Sequence, residues 1–182
     1  DGVDVRHMDP AKLRERIAIV PQKTVLFTGT VLENIRWGKE DATVEEVEQA
    51  ARIAEAHAFV TAAADGYETR VGQGGVNFSG GQKQRLSIAR ALVRQPEILI
   101  LDDSTSAVDV ATEARIKQAL RSYTRGLTCI LIAQRITSVM DADKIVVLDD
   151  GELAGLGTHE ELLESCRVYQ EMYQSQMGRE VS

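Results

Sequence analysis

The sequence contains few aromatic residues, few prolines and few cysteines, and none of its apolar runs is long. Aromatic residues make up 4% of the 182 positions, beside three prolines and two cysteines. Cys129 sits in an apolar run and Cys166 stands alone, which fits a reducing cytosol. The longest apolar runs, such as Ile98–Leu101 and Cys129–Ala133, are as long as strands and much shorter than the roughly 20 residues that cross a bilayer. We therefore expect a soluble chain that does not itself span a membrane.

Positive charge is also scarce. The chain has 21 Lys and Arg residues against 28 Asp and Glu residues, which gives a formal net charge of -7. A nucleic-acid surface needs a basic stripe that neutralises phosphates, so no nucleic-acid partner is expected. No basic and apolar leader opens the sequence, so secretion is not expected either. The content of 43% apolar and 27% charged residues is typical of an ordinary globular domain.

The order of strand-like and helical patterns predicts an α/β fold. Short apolar runs predict strands at Ile17–Val20, Ile98–Leu101, Thr128–Ala133 and Ile145–Leu148. Capping boxes and apolar residues at helical spacing predict helices over about 43–64, from Ser79 to before Pro96, over about 110–123 and over about 167–177. A helix between two strands is typical of a parallel sheet, so the sequence predicts a parallel α/β sheet.

Two acidic residues follow the predicted strand at 98–101. Asp102 and Asp103 would lie at the carboxyl end of a strand, where open α/β sheets bind ligands. In P-loop NTPases the first acid at this place holds Mg²⁺. The other interpretation is a buried strand that ends in a solvated turn of two aspartates. From these residues alone the two interpretations are evenly balanced.

A second motif is the tetrapeptide Ser79-Gly80-Gly81-Gln82. Ser79 and Gln82 have the spacing of a capping box, so one interpretation is only the start of a helix. The other is a phosphate site, because two glycines let a phosphate approach backbone N–H groups at the positive end of a helix dipole. Taken alone, the motif favours the helix start.

Together the two motifs resemble the signature helix and the Walker B strand of ATP-binding-cassette (ABC) nucleotide-binding domains. Further segments resemble the Q-loop, X-loop and D-loop of ABC exporters, so the resemblance covers nearly the whole chain. The matching segments are Val20–Gln22 (Q-loop), Val25–Phe27 and Thr30–Ile35 (the exporter sequence that follows it), Thr69–Gly75 (X-loop), Asn77–Arg85 and Ile88–Leu92 (signature helix), Pro96–Asp102 (Walker B) and Ser106–Asp109 (D-loop). Gln73 replaces the usual Glu of the X-loop.

The resemblance implies a fold, a function and partners. The fold would be the RecA-like parallel sheet of a P-loop NTPase, truncated at its N-terminal side, with an inserted ABC α-helical subdomain. Residues 1–30 would be core sequence with the Q-loop, 31–95 the helical subdomain, and 96–182 core sequence with the Walker B strand, D-loop, H-loop and C-terminal helices. The complete protein would hydrolyse ATP with Mg²⁺ to drive export at the cytoplasmic face of the cell membrane. Its partners would be a second nucleotide-binding domain, paired head to tail, and the transmembrane domains of an exporter.

The resemblance also implies roles for individual residues. Asp102 and Gln22 would hold Mg²⁺, and Gln22, Asp103 and Gln134 would act in hydrolysis. The signature would bind the nucleotide of the partner domain through Ser79, Gly80, Gly81 and Gln82, and the D-loop would contribute Ser106 and Asp109. Leu26 and Phe27 would either contact the membrane domain or pack in the core, and Trp37 is expected to pack rather than to contact a ligand.

Three departures from the family pattern matter. The Gly-rich loop with its Lys and Ser or Thr, which cradles phosphates, is absent from the sequence. The chain is therefore expected to begin after its own ATP cradle and to be inactive alone. Asp103 stands where the catalytic carboxylate is Glu, and a displacement of about 1 Å can cost on the order of a hundredfold in rate. Gln134, in the H-loop segment Ile132–Arg135, stands where a switch His is expected, and an amide cannot carry an imidazolium charge.

The signature, by contrast, is intact. Because each signature of a head-to-tail pair serves the partner's ATP, the site built on Asp102, Asp103 and Gln134 should be slow and the site completed by Ser79–Gln82 fast. This pattern resembles one half of a heterodimeric exporter. A second hypothesis is a non-catalytic interaction module that pairs with a partner cassette. A third, a DNA-repair or chromosome-structure ATPase of the wider ABC group, is disfavoured by the exporter-like loops and by the acidic charge.

Overall fold

A computed structural model of the chain describes residues 2–123 and 126–178. The chain divides into two units, Asp1–Ile132 and Ala133–Ser182. The helices of the first unit are α1 (Pro10–Glu15), α2 (Val31–Arg36), α3 (Val44–Ile53), α4 (His57–Thr61), α5 (Gly80–Leu92) and α6 (Val110–Tyr123). Its strands are β1 (Ile17–Val20), β2 (Gly29–Thr30), β3 (Arg70–Val71), β4 (Ile98–Asp102) and β5 (Thr128–Ile132). The second unit contains β6 (Ile145–Asp149), β7 (Glu152–Gly157), α7 (His159–Ser165) and α8 (Arg167–Met177). Among the described residues, no helix combines the length and the apolar content that crossing a membrane requires.

The main sheet of the first unit has three parallel strands in the order β1-β4-β5. Val20 pairs with Leu101, and Asp102 pairs with Ile132. The carboxyl ends of the strands therefore meet at one edge, where ligands bind in sheets of this kind. The central strand β4 buries Leu99 and Leu101. The predicted parallel α/β sheet is confirmed.

Helix α5 contributes several buried residues to the core cluster of the first unit. Ser79 is its N-cap, as the capping box predicts, and the helix ends at Leu92, before Pro96. The helix contacts α2, α3 and β1. Leu86 and Ile88 are fully buried, so its position is fixed by the apolar core as well as by its cap.

The single helix predicted over about 43–64 is wrong in one respect, because the structure breaks it into α3 and α4. Glu55 lies between them with a φ of 56°, in the left-handed region. Its carbonyl accepts a hydrogen bond of 2.8 Å from Arg85 Nη1 on α5. Apolar spacing continues through Ala54 and Ala58, so the pattern alone could not mark the break. The break coincides with the long-range contact between Glu55 and Arg85, and tertiary contacts of this kind override local helix propensity.

In the second unit, β6 and β7 form an antiparallel hairpin. Asp149 pairs with Glu152, so the loop is Asp150-Gly151, and both residues have positive φ angles of 48° and 82°. This is the Asp-Gly turn typical of two-residue hairpins. The strand predicted at 145–148 therefore exists, but its partner among the described residues is an antiparallel strand that was not predicted. Helices α7 and α8 pack on the hairpin through buried Leu162 and Tyr169.

Candidate functional site

Two carboxylates lie at the carboxyl end of the central strand β4. Asp102 ends the strand opposite Ile132, and the backbone N–H of Asp103 donates to the Ile132 carbonyl oxygen at 2.8 Å. The φ angle of Asp103 is 44°, in the left-handed region that aspartate tolerates better than most non-glycine residues. A β-branched or bulky residue at this position would therefore strain the turn.

Gln22 lies beside this pair of acids. It follows β1 after Pro21, and its Nε2 atom donates a hydrogen bond of 3.1 Å to Asp103 Oδ2. The parallel pairing of β1 with β4 brings the two residues to the same end of the sheet. We call Gln22, Asp102 and Asp103 the acidic edge.

The donor atoms of the acidic edge suit a magnesium ion that arrives with phosphates. Mg²⁺ is usually bound by one or two carboxylates together with substrate phosphates and water, rather than by a cage of protein ligands. The acidic edge offers two carboxylates and the amide oxygen of Gln22. Within residues 2–123 and 126–178, no cluster of three or more His, Cys, Asp and Glu side chains could hold a metal ion. Two carboxylates and one amide oxygen fit a metal that is carried by a nucleotide.

The predicted signature forms a complete capping box at the start of α5. The backbone N–H of Gln82 donates to Ser79 Oγ at 3.2 Å, and the backbone N–H of Ser79 donates to Gln82 Oε1 at 2.9 Å. The N–H groups of Gly80 and Gly81 have no partner within the helix, because the first turn of any α-helix leaves its donors unpaired. These two groups at the positive end of the helix dipole are suited to an anion.

The first turn of α5 also lies directly against the segment predicted to be the D-loop. A Cβ atom added to Gly81 would lie 2.8 Å from the carbonyl oxygen of Ala107, and one added to Gly80 would lie 3.3 Å from the Cβ of Ala107. A Cβ atom closer than 3.0 Å to a backbone atom would force the backbone to move. Glycine at position 81 is thus required by this close approach as well as by any ligand.

Asp109, at the end of the predicted D-loop, acts as a helix cap in this structure. Its Oδ1 atom accepts a hydrogen bond of 2.9 Å from the backbone N–H of Thr112, in the first turn of α6. This hydrogen bond and that of the Thr112 side chain hold the pKa of Asp109 below its usual value. The aspartate therefore stays ionised and fixes the end of the loop.

The exporter-like segment 25–27 has one buried and one exposed apolar side chain. Leu26 is 1% exposed and belongs to the core, whereas Phe27 is 37% exposed. Phe27 stacks on Trp37 with ring centroids 4.1 Å apart, and Trp37 itself is 65% exposed. Trp37 therefore packs, as expected, but on a surface aromatic rather than in the core.

Arg90 on α5 holds this segment through carbonyl groups instead of a carboxylate. Its guanidinium donates to the carbonyl oxygens of Asn34 and Val25 at 2.8 and 2.9 Å, and to Asn34 Oδ1 at 2.9 Å. It also lies 5.1 Å above the centroid of the Phe27 ring. Burial lowers the pKa of Arg90. Helix α5 thus connects the predicted signature with the segment 25–27.

Gln134 belongs to the second unit and is exposed. Its backbone carbonyl accepts a hydrogen bond of 2.9 Å from Gln176 Nε2 on α8, and Gln176 Oε1 accepts one of 2.7 Å from the backbone N–H of Ile136. The backbone that carries Gln134 is therefore held by α8. Its role in hydrolysis stays a prediction.

Sequence reasoning gave no role to Gln84, Asn34 or Arg90, which the structure shows to be anchoring residues. Gln84 is 5% exposed and bonds to both Ser106 and Ala107. One signal could have found it, since position 84 precedes the apolar Ile88 by four residues and so shares its buried helix face. No comparable signal identifies Asn34 or Arg90, because most of their partners are backbone groups.

Comparison with known proteins gives consistent matches. The model of the ABC transporter family matches residues 1–106. An uncharacterized ABC transporter ATP-binding protein of Bacillus subtilis (strain 168), YfiB, is 50% identical over 182 residues, which are 100% of this chain and 31% of that protein. A putative multidrug export ATP-binding/permease protein of the same organism, YgaD, is 44% identical over 173 residues, 95% of this chain and 30% of that protein.

A solved structure is also similar. The structure of a bacterial Atm1-family ABC exporter with ATP bound superposes with a TM-score of 0.93 and 42% sequence identity. The match covers 97% of this chain and 31% of the chain of that exporter. The chain thus spans slightly less than a third of the length of these relatives.

Proposed function

Because this chain belongs to the ABC transporter family, we propose that it is the ATP-binding part of a membrane exporter whose complete form hydrolyses ATP to drive export. The predicted family and the predicted α/β P-loop NTPase fold are both confirmed. The observation that carries the proposal is the hydrogen bond from Gln22 to Asp103, because it brings the Q-loop amide to the acids at the end of the Walker B strand. The exporter relatives support the direction of transport.

We assign the acidic edge to the chain's own ATP site. Asp102 and Gln22 would hold Mg²⁺, which when bound neutralises charge on the phosphates. Asp103 would orient the attacking water and accept its proton at a carboxylate oxygen. The hydrogen bond from Gln22 holds the Asp103 carboxylate at the carboxyl end of the sheet, beside the place proposed for the phosphates. Gln134 would stand at the H-loop position.

The signature would serve the ATP of a second cassette. Ser79 and Gln82 satisfy each other's backbone groups, so the N–H groups of Gly80 and Gly81 are the donors left for a γ-phosphate. Ser106 and Asp109 would belong to the same pairing surface, since the D-loop packs on the signature turn. The partner would supply the P-loop and its own Walker B strand.

We further propose that the pair is a heterodimer with one slow and one fast site. Asp103 in place of Glu and Gln134 in place of His weaken the site of this chain, whereas the complete capping box supports an active signature. The domain boundaries follow the same scheme. Residues 31–95 contain the helices α2 to α5 and would be the helical subdomain, between core segments 1–30 and 96–182.

The exposed pair Phe27 and Trp37 would contact the transmembrane domains. Two stacked aromatic side chains on a surface are suited to a protein contact, and Arg90 anchors them to the signature helix. Leu26 takes no part in such a contact, because it is buried. The domain would lie at the cytoplasmic face of the membrane.

A second candidate function is a non-catalytic module that pairs with a partner cassette. The observation that favours it is the altered chemistry at Asp103 and Gln134, which leaves the signature as the intact part of the chain. In that case the chain would complete the partner's site without turning over ATP itself.

The experiment that tests the proposal uses the complete protein with its partner in proteoliposomes. We expect the pair to hydrolyse Mg-ATP, whereas either complete subunit alone should show at most residual turnover. A pair that binds Mg-ATP without hydrolysing it would overturn the proposal. A pair in which Asp102→Asn leaves both total turnover and the number of bound nucleotides unchanged would support the non-catalytic module instead.

A further inference from the structure

The side chain of Gln84 joins the signature helix to the D-loop. Gln84 lies one turn after Gly80 and Gly81 on α5, and its side chain is buried. Its Nε2 atom donates to Ser106 Oγ at 3.2 Å, and its Oε1 atom accepts from the backbone N–H of Ala107 at 2.9 Å. These partners are 22 and 23 positions away in the chain. One amide therefore binds two consecutive residues of the loop.

The hydrogen bonds continue from the D-loop to the acidic edge. Ser106 Oγ donates to the carbonyl oxygen of Asp103 at 3.0 Å while it accepts from Gln84, which uses one hydroxyl as both donor and acceptor. Asp103 in turn accepts at its side chain from Gln22. A continuous series of hydrogen bonds thus runs from Gln22 through Asp103, Ser106 and Gln84 to helix α5.

The same loop supports the first turn of the signature. The carbonyl oxygen of Ala107 lies so close to Gly81 that a Cβ atom there would be only 2.8 Å away, so the loop packs directly on the first turn of the helix. The side-chain amide of Gln84 accepts a hydrogen bond from the N–H of Ala107, and Gly81 packs against the carbonyl oxygen of Ala107. The D-loop is therefore fixed on α5 from two sides.

We propose that Gln84 is a positioning residue that locks the D-loop onto the signature helix and thereby couples the acidic edge of this chain to the ATP site of its partner. The inference rests on the proposed function, in which the signature serves the partner's nucleotide. Gln84 touches neither ATP nor Mg²⁺ in this proposal. It acts through Ser106 and Ala107, and its loss misplaces the donors of Gly80 and Gly81.

The test uses the complete protein paired with its partner and compares four substitutions. Q84M keeps the length and flexibility of the side chain but removes both hydrogen bonds. Q84E keeps an acceptor for the N–H of Ala107 and loses the donor toward Ser106. S106A removes the link to Asp103 and leaves the bond to Ala107. Q118M makes the same change as Q84M at an exposed position of α6 and is the matched control.

We expect Q84M to lower kcat for Mg-ATP by about tenfold or more, because the signature donors are misplaced, while KM changes by less than about threefold, because the P-loops that cradle the nucleotides are unchanged. Q84E and S106A should lose less, and the double variant Q84M/S106A should lose no more than Q84M alone, because both act on one path. Amide hydrogen exchange at Ala107 should accelerate in Q84M and stay slow in Q84E. Q118M should match the wild type in every measurement.

The outcomes separate this inference from the proposed function. A wild-type pair without ATP hydrolysis contradicts the proposed function, and exchange at Ala107 still tests the anchoring role. Wild-type hydrolysis with an unchanged kcat in Q84M overturns the inference alone, as does a purely additive loss in Q84M/S106A. If Q84M does not assemble, Q84E and S106A test the inference instead, since each keeps the hydrogen bond between the side chain at position 84 and the N–H of Ala107. Wild-type kcat in both of them overturns the coupling.

Discussion

Gln22 and Asp103 are 81 positions apart in the chain, and the Nε2 atom of Gln22 donates a hydrogen bond of 3.1 Å to Oδ2 of Asp103. The pairing of β1 with β4 makes this contact possible, because Val20 and Leu101 are in register two residues before each of them. Asp103, the proposed water-activating group, is therefore held by Gln22, which lies in the loop that precedes the exposed Phe27 and Trp37.

The first prediction concerns the slow site. In a background in which the signature carries S79A and G80D, so that the partner's site is silent, D103E together with Q134H should raise residual ATP hydrolysis by on the order of tenfold. The change restores a longer carboxylate and a switch imidazole. Because Asp103 has a φ of 44°, D103E also strains the turn, and its effect alone should be smaller than that of the pair.

The matched control for this prediction is D103N, which keeps the size of the side chain and its tolerance of the left-handed region but removes the charge. It should lower residual hydrolysis further. Single and double variants are measured together, because interacting catalytic residues are not additive. If D103A abolished total turnover in the otherwise wild-type pair while the signature variant retained it, the assignment of slow and fast sites would be reversed.

The second prediction concerns the signature. S79A with G80D should abolish most of the total ATPase activity of the pair, although the Walker B acids of this chain are untouched. S79A removes the cap on Gln82, and G80D places a negative side chain near the γ-phosphate. The control is T43A, which removes the cap of an equivalent box on α3 at a cost of about 0.5–2 kcal/mol. T43A should keep wild-type turnover, and equal losses in both variants would contradict the prediction.

How much the sequence predicts depends on the range of the interactions involved. The start of α5 at Ser79 and the strand before Asp102 follow from local signals, a capping box and an apolar run, and the structure confirms both. The break at Glu55 depends on a carbonyl contact with Arg85, 30 positions away, which no local pattern contains. The antiparallel hairpin has a local signal in Asp150-Gly151, which the apolar runs alone do not include.

The candidate site divides in the same way. Gln22, Asp103 and Ser79 could be found because family motifs mark them, and the structure places the first two in direct contact. The spacing to Ile88 could have predicted that Gln84 is buried, but not that it anchors the D-loop, because its partners are 22 and 23 positions away. Whether a residue such as Leu26 packs or contacts a partner likewise depends on burial, which only the fold determines.

The third prediction concerns nucleotide binding by the 182-residue chain alone. Calorimetry with Mg-ATP should show no binding in the low-micromolar range, because the sequence holds no Gly-rich loop with a Lys to cradle the phosphates. Asp102 and Asp103 supply ligands for a metal that a nucleotide carries, but no cradle for the nucleotide itself. The complete protein is the positive control. A low-micromolar dissociation constant for the isolated chain would contradict this prediction.

The fourth prediction concerns the outer edge of β5. Among the described residues no strand pairs with this edge, and the strand exposes Cys129, Ile130 and Ile132. Unpaired edges with apolar side chains favour association. In the complete protein we propose that the strand leading into the P-loop covers this edge. The isolated chain should therefore self-associate, and a monodisperse monomer with a cooperative thermal transition would contradict the prediction.

The two cysteines allow this edge to be followed directly. Cys129 is exposed, whereas Cys166 is 5% exposed in the core of the second unit. In freshly diluted isolated chain a maleimide should modify Cys129 first, and C129S should remove the fast phase while C166S leaves it. Partial desolvation raises the pKa of the Cys129 thiol, so its labelling rate should continue to increase with pH above the usual range. In the complete protein the labelling of Cys129 should slow by on the order of tenfold or more, because a covered strand opens only by local unfolding. Equal labelling rates of Cys129 in the isolated chain and in the complete protein would show that no additional strand protects β5.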